Sequence, residues 1–77
     1  MPGAPEASKR FGERIRALRQ ARSRTQKELA ASSHIDQSEI SRIEKGAANP
    51  TLATLETLVR ALGGELRIVE RTEPIPA

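Results

Sequence analysis

At 77 residues the chain is long enough for one small domain, and domains of this size bury only about 60% of their unfolded surface, so a second copy would help to stabilise it. Thirteen Lys and Arg against ten Asp and Glu leave a net charge of +3, which favours a polyanionic partner without identifying one. With no cysteine, disulfide scaffolds, thiolate metal sites and cysteine nucleophiles are excluded; with no apolar run of about 18 residues and no leader-type stretch in MPGAPEASKR, a cytoplasmic protein away from membranes is expected.

Residues 1–7 hold two prolines and a glycine, and nothing apolar beyond Met1 is larger than alanine, which predicts a flexible tail. Phe11, Ile15 and Leu18 then recur at helical spacing among charged and small residues. That spacing predicts a first helix from Ser8 to Arg22, packing one stripe and leaving Arg10, Arg14, Arg16 and Arg22 in water.

Two helix starts follow in quick succession. Thr25-x-x-Glu28 and Asp36-x-x-Glu39 each place a short polar side chain three residues before a glutamate that can reach back to it, predicting helices over 26–32 and 37–45. Only Ser33 to Asp36 lie between them, room for a sharp corner that Ile35 can plug, and the pair reads as a helix-turn-helix. Leu29, Ile35, Ile40 and Ile43 supply its inner face, and Ala30 is small enough for a close crossing. Gln37, Ser38, Ser41 and Arg42 fall on an outer face rich in hydrogen-bonding groups.

Gly46 suits the end of that second helix, and Ala47 to Pro50 form a loop. Thr51 is placed to cap a fourth helix whose inward stripe is Leu52, Leu55, Leu58, Val59 and Leu62, ended by Gly63. The fold class is therefore all-α, a compact four-helix domain over 8–63 with its helix-turn-helix in the second and third helices. Beyond Gly64 the period shortens: in ELRIVE, Leu66 and Ile68 alternate with other residues in the pattern of a short β-strand. A lone strand needs a partner. One reading assigns 64–71 to dimerisation, pairing with a second copy while Leu66 and Ile68 cover the helical body; the other leaves a frayed extension or a short fifth helix. Residues 72–77, interrupted by Pro74 and Pro76, read as a second flexible tail.

The fragments IRALRQAR, TQKELA, QSEISRIEKG and NPTLATLETLVRAL, in that order and spacing, resemble the phage-repressor/Cro or XRE-type class of helix-turn-helix proteins from about Ile15 to Leu62. The resemblance implies a lambda-repressor-like DNA-binding fold and a partly buried ion pair between Arg19 and Glu44 that sets the first helix against the third. It also implies that Gln37 contacts a base and that Gln26 clasps a phosphate while bracing the recognition helix. Three positions depart from the class. Arg24 stands where an apolar residue is usual, and must lay its stem over the core or face DNA. Ser33 replaces a small apolar residue, and His34 replaces a glycine at a left-handed corner, at some cost in stability.

Chemistry completes the expected interface. The Gln37 carboxamide matches adenine N6 and N7. The Arg42 guanidinium matches guanine O6 and N7 or binds a phosphate, and Ser38 and Ser41 reach bases at short range. Arg24, Thr25, Gln26, Lys27, Lys45 and Asn49 are the expected phosphate contacts.

The expected function is a homodimeric, sequence-specific repressor reading a palindromic double-stranded operator. The alternative is an antitoxin that neutralises a toxin protein and represses its own operon, because the ending of fourth helix, Gly-Gly and strand is similar to HipB-like and HigA-like antitoxins. Catalysis is not expected: Ser33, His34 and Asp36 are crowded into one turn and cannot line up as nucleophile, base and orienter. The lone histidine has no companions for a metal site and no glycine-rich phosphate loop is present, so neither metal nor cofactor is expected.

Overall fold

The computed structural model describes residues 3–69. The tail expected over 72–77, and residues 70–71 of the expected strand, lie outside the described residues. Four helices follow one another: α1 (Gly3–Ala21), α2 (Gln26–Ser33), α3 (Gln37–Glu44) and α4 (Leu52–Ala61). Helix α1 begins at Gly3, which corrects the expectation of a loose tail through residue 7. Pro5 is compatible with this start because it falls in the first turn, where a missing N–H breaks no helical bond. No helix among the described residues is long and apolar enough to cross a membrane.

Two of the helices are capped as their local residues dictate. Thr25 Oγ1 accepts from the Glu28 amide at 3.0 Å, and the Thr25 amide donates to Glu28 Oε1 at 2.8 Å, a reciprocal closure of α2. Thr51 Oγ1 accepts from the Thr54 amide at 3.1 Å and starts α4. Asp36 does not repeat the pattern. It precedes α3 with φ −57 and ψ 139, away from the more extended backbone of Thr25 (φ −82, ψ 164), and its side chain makes no capping hydrogen bond.

The core is a single aliphatic cluster of Ile15, Leu29, Ile40, Ile43, Leu58, Val59 and Leu62, with Leu18, Ala30, Ile35 and Leu66 packed against it. Helix α1 packs on α3, and α2 packs on both α3 and α4, whereas α1 and α4 meet only sparsely. That gap accounts for two corrections. Phe11 and Leu52, both expected in the inward stripes, are 43% and 72% exposed, because neither has a packed helix opposite it.

Gly12 explains how closely α1 approaches α3. It is buried, and a Cβ there would collide with the Ile43 carbonyl oxygen and lie 3.0 Å from that of Glu44. A glycine inside a helix costs about 1 kcal/mol of helix propensity, and here the missing side chain lets α1 sit directly on the end of α3.

The strand expected after Gly64 does not form: residues 64–69 take no regular secondary structure, and there is no strand among the described residues. Leu66 is half-buried against the core, whereas Ile68, expected to cover the helical body with it, is fully exposed. The physical reason is the one that makes any lone strand untenable, since no second extended segment among the described residues can take up its backbone groups.

Candidate nucleic-acid interface

Helix α3 turns one face inward and one outward. Ile40, Ile43 and Glu44 are buried, while Gln37, Ser38 and Arg42 are exposed and Ser41 is half-buried between the two faces. The corner that brings α3 off α2 is made by His34 at φ 62, a left-handed residue whose amide donates to the Ala30 carbonyl at 2.9 Å. Ser33 is buried there, and its hydroxyl accepts from the Ile35 amide at 3.3 Å, so the serine in an apolar position satisfies the turn's own backbone.

The far end of α3 is held by a charged group inside the protein. The Glu44 side chain is only 3% exposed and receives a bidentate clasp from Arg19: Nε to Oε2 at 2.7 Å and Nη2 to Oε1 at 3.0 Å. Arg19 Nη1 donates to the Arg24 carbonyl at 2.8 Å, and Gln26 Nε2 donates to Glu44 Oε1 at 3.1 Å. One carboxylate therefore ties together α1, the α1–α2 link, the first residue of α2 and the end of α3. The hydrogen bond to Glu44, outweighing the opposing effect of desolvation, holds the Arg19 guanidinium above its ordinary pKa. Among the described residues no buried side-chain polar atom lacks a partner.

Around α3, Arg24, Thr25, Lys27, Lys45 and Asn49 are exposed and Gln26 is half-buried. The reciprocal cap of α2 occupies the amides of Thr25 and Glu28, which leaves those of Gln26 and Lys27 as the orphan donors of its first turn. Arg24 stands in solvent instead of laying its stem over the core. Asn49 is set apart from the others, on the rim of an apolar hollow between the starts of α1 and α4. Two residues with structural roles escaped sequence reasoning. Arg22, expected only to be solvated, donates from Nε to the Leu62 carbonyl at 2.9 Å and ties the end of α1 to the end of α4. Gly12 was detectable as a glycine inside a strong helical pattern, a cost that asks for a packing reason.

Comparison with known proteins places this arrangement. The chain is 49% identical over 59 residues to a putative antitoxin HigA2 of Mycobacterium tuberculosis, covering 75% of this chain and 58% of that one. It is 36% identical over 64 residues to the immunity repressor protein of Bacillus phage phi105, covering 83% and 44% respectively. It is also 36% identical over 69 residues to y4dJ of Sinorhizobium fredii, an uncharacterized HTH-type transcriptional regulator, covering 88% and 90%. The chain thus spans about half the length of the first two relatives. No solved structure matches it. The helix-turn-helix family profile matches residues 15–69, well over half of the chain, and the chain belongs to that family of XRE-type, DNA-binding transcriptional regulators.

Proposed function

We propose that the protein is a repressor that reads a palindromic operator as a homodimer, laying α3 of each subunit in the major groove. The observation that carries this reading is the division of α3 itself: Ile40, Ile43 and Glu44 anchor it while Gln37, Ser38 and Arg42 stand clear of the body. Gln37, at its first residue, pairs with adenine N6 and N7; Arg42, one turn on, takes guanine or a phosphate; Ser38 and Ser41 bond to bases in between. The orphan amides of Gln26 and Lys27 bind a phosphate at the positive end of α2. Arg24, Thr25 and the side chains of Lys27 and Lys45 add backbone contacts that position the protein without reading sequence, and Asn49 does so from the edge of the interface. Two subunits related by a twofold axis would set their α3 helices about 34–36 Å apart, one turn of DNA. Work on DNA in the cytoplasm goes with this reading.

A second reading is supported by the relative described as a putative antitoxin. In it the protein also binds a toxin and represses the operon that encodes both. The two readings share the DNA interface and differ in whether a second protein binds elsewhere.

Selection of bound sequences from a random DNA pool tests the first reading. The expected result is an inverted repeat. Gln37→Ala should relax preference at one base position, costing about 1–3 kcal/mol at the preferred base, whereas Lys27→Ala should weaken every site alike and lower the salt slope by about one. Failure to prefer any DNA over competitor at moderate salt would remove the operator-reading role.

A further inference from the structure

We propose that Glu39 is a specificity-determining residue of α3, its carboxylate accepting a hydrogen bond from the amino group of a cytosine in the major groove. This rests on the reading of α3 above and names one base that the reading leaves open. The spacing Asp36-x-x-Glu39 predicts a reciprocal helix cap, and the structure removes that role. Asp36 makes no side-chain capping hydrogen bond, and the bond that Glu28 accepts from the Thr25 amide has no counterpart at Glu39. Nor does Glu39 enter either ion pair among the described residues, which join Arg19 to Glu44 and Arg60 to Glu56. Its side chain stands exposed in the first turn of α3.

An unengaged carboxylate on a helix offered to DNA needs a reason, because phosphates repel it and it weakens binding at every sequence alike. Its place on α3 supplies one. With Ile40, Ile43 and Glu44 turned inward, Ser38 and Arg42 stand four residues apart and Glu39 and Arg42 three apart, so the three share one exposed face. An ionised carboxylate only accepts hydrogen bonds, and the donors on the base edges of the major groove are the amino groups of cytosine and adenine. Adenine sets its N7 acceptor beside that amino group, which opposes a carboxylate, whereas cytosine presents the donor alone. Cytosine is therefore the base that Glu39 fits. Arg42 forms no ion pair with Glu39 although it lies one turn away, so its donors remain open to guanine or a phosphate beside that cytosine.

The test is the base selected by Glu39 variants of the full chain, with sequences drawn from a random DNA pool and affinities then measured by titration. Wild-type protein should select a cytosine at one position of each half-site, and should bind about tenfold more weakly when that base pair alone is changed. Glu39→Ala should lose the cytosine preference while the preference set by Gln37 persists. Glu39→Gln should exchange cytosine for adenine, since a carboxamide pairs with N6 and N7. Simple repulsion of phosphates predicts otherwise: both variants would then bind every sequence more tightly and change no base preference. A role confined to the first turn of α3, where a negative charge meets the positive end of the helix, would lower the thermal unfolding midpoint and again change no base preference. Either result overturns the proposal, and so does a cytosine preference that survives in Glu39→Ala. A selected motif that persists in those cases leaves reading by α3 standing, whereas a wild type that selects no motif removes that reading and the proposal with it.

Discussion

Two regions of this molecule invert the ordinary rule of polar outside and apolar inside, and they do so in opposite senses. At the root of α3 a carboxylate is buried, and three other segments converge on it through Arg19 and Gln26. Across the α1–α4 gap, Phe11, Leu52 and Ile68 are left in water. Among the described residues the buried charge is fully answered, whereas the exposed apolar patch is not. Burial of a charge is sustained only by a complete set of partners, which restrict the geometry to one arrangement, whereas exposure of apolar surface needs no partner and leaves the region open to one. The first region thus sets the orientation of α3, the helix proposed to meet DNA, and the second is where the proposed association would add stability to a small domain.

The first side of that contrast predicts the largest effect. Arg19→Ala leaves the Glu44 carboxylate buried with Gln26 as its remaining side-chain donor, and should lower stability by about 3–5 kcal/mol, a large fraction of what a small domain has. Replacing both partners, Arg19→Met with Glu44→Leu, should recover most of that loss in urea unfolding. Recovery of stability need not recover DNA binding, because the pair's contribution is the placement of α3. If Arg19→Ala costs less than about 1 kcal/mol, the clasp is a surface contact and the contrast between the two regions fails.

How much of this was legible in the sequence divides along the same line. Periodicity exposed the core because Ile15, Leu29, Ile40, Ile43, Leu58 and Val59 bury their side chains through helix-on-helix packing, and helical packing leaves a local 3.6-residue trace. The cap of α2 was legible because Thr25 and Glu28 act on each other across three residues. The same spacing at Asp36 misled, because a cap also depends on the backbone angles of its first residue, which the sequence pattern does not display. Phe11, Leu52 and Ile68 fit their stripes and were misplaced, since a stripe shows which face is apolar and says nothing of whether another element lies opposite. Of the proposed DNA contacts, residue chemistry indicates what each side chain can bond, while its reach to a base depends on the DNA.

His34 yields a smaller effect that sharpens the first region. It sits at φ 62, where a residue with a Cβ pays about 1–2 kcal/mol and glycine pays nothing. Glycine loses more chain entropy on folding, so His34→Gly should raise stability by a net of about 0.5–1 kcal/mol, seen as a higher urea midpoint. The imidazole is exposed and forms no described side-chain hydrogen bond that the change would remove. An unchanged or lowered midpoint would mean that the side chain contributes to the corner in some other way.

The smallest effect belongs to the second region, and its smallness is the point. Leu52 and Leu55 lie one turn apart on α4 and both border the hollow, yet Leu52 is 72% exposed and Leu55 is 8% exposed. Leu55→Ala should cost about 2–5 kcal/mol by removing a buried side chain. Leu52→Ser, measured at dilutions where the chain is monomeric, should change stability by no more than about 0.5 kcal/mol, since little of its surface leaves water on folding. The measurement has to be made in that regime because unfolding of a dimer includes its dissociation, and a residue silent in the monomer then enters the apparent stability. Repeated at concentrations that favour the dimer, the same substitution should become destabilising, and the difference between the two measurements reports what a second copy buries at that side chain. A Leu52→Ser penalty comparable to that of Leu55→Ala in the monomer would place Leu52 in the core and remove the exposed half of the contrast.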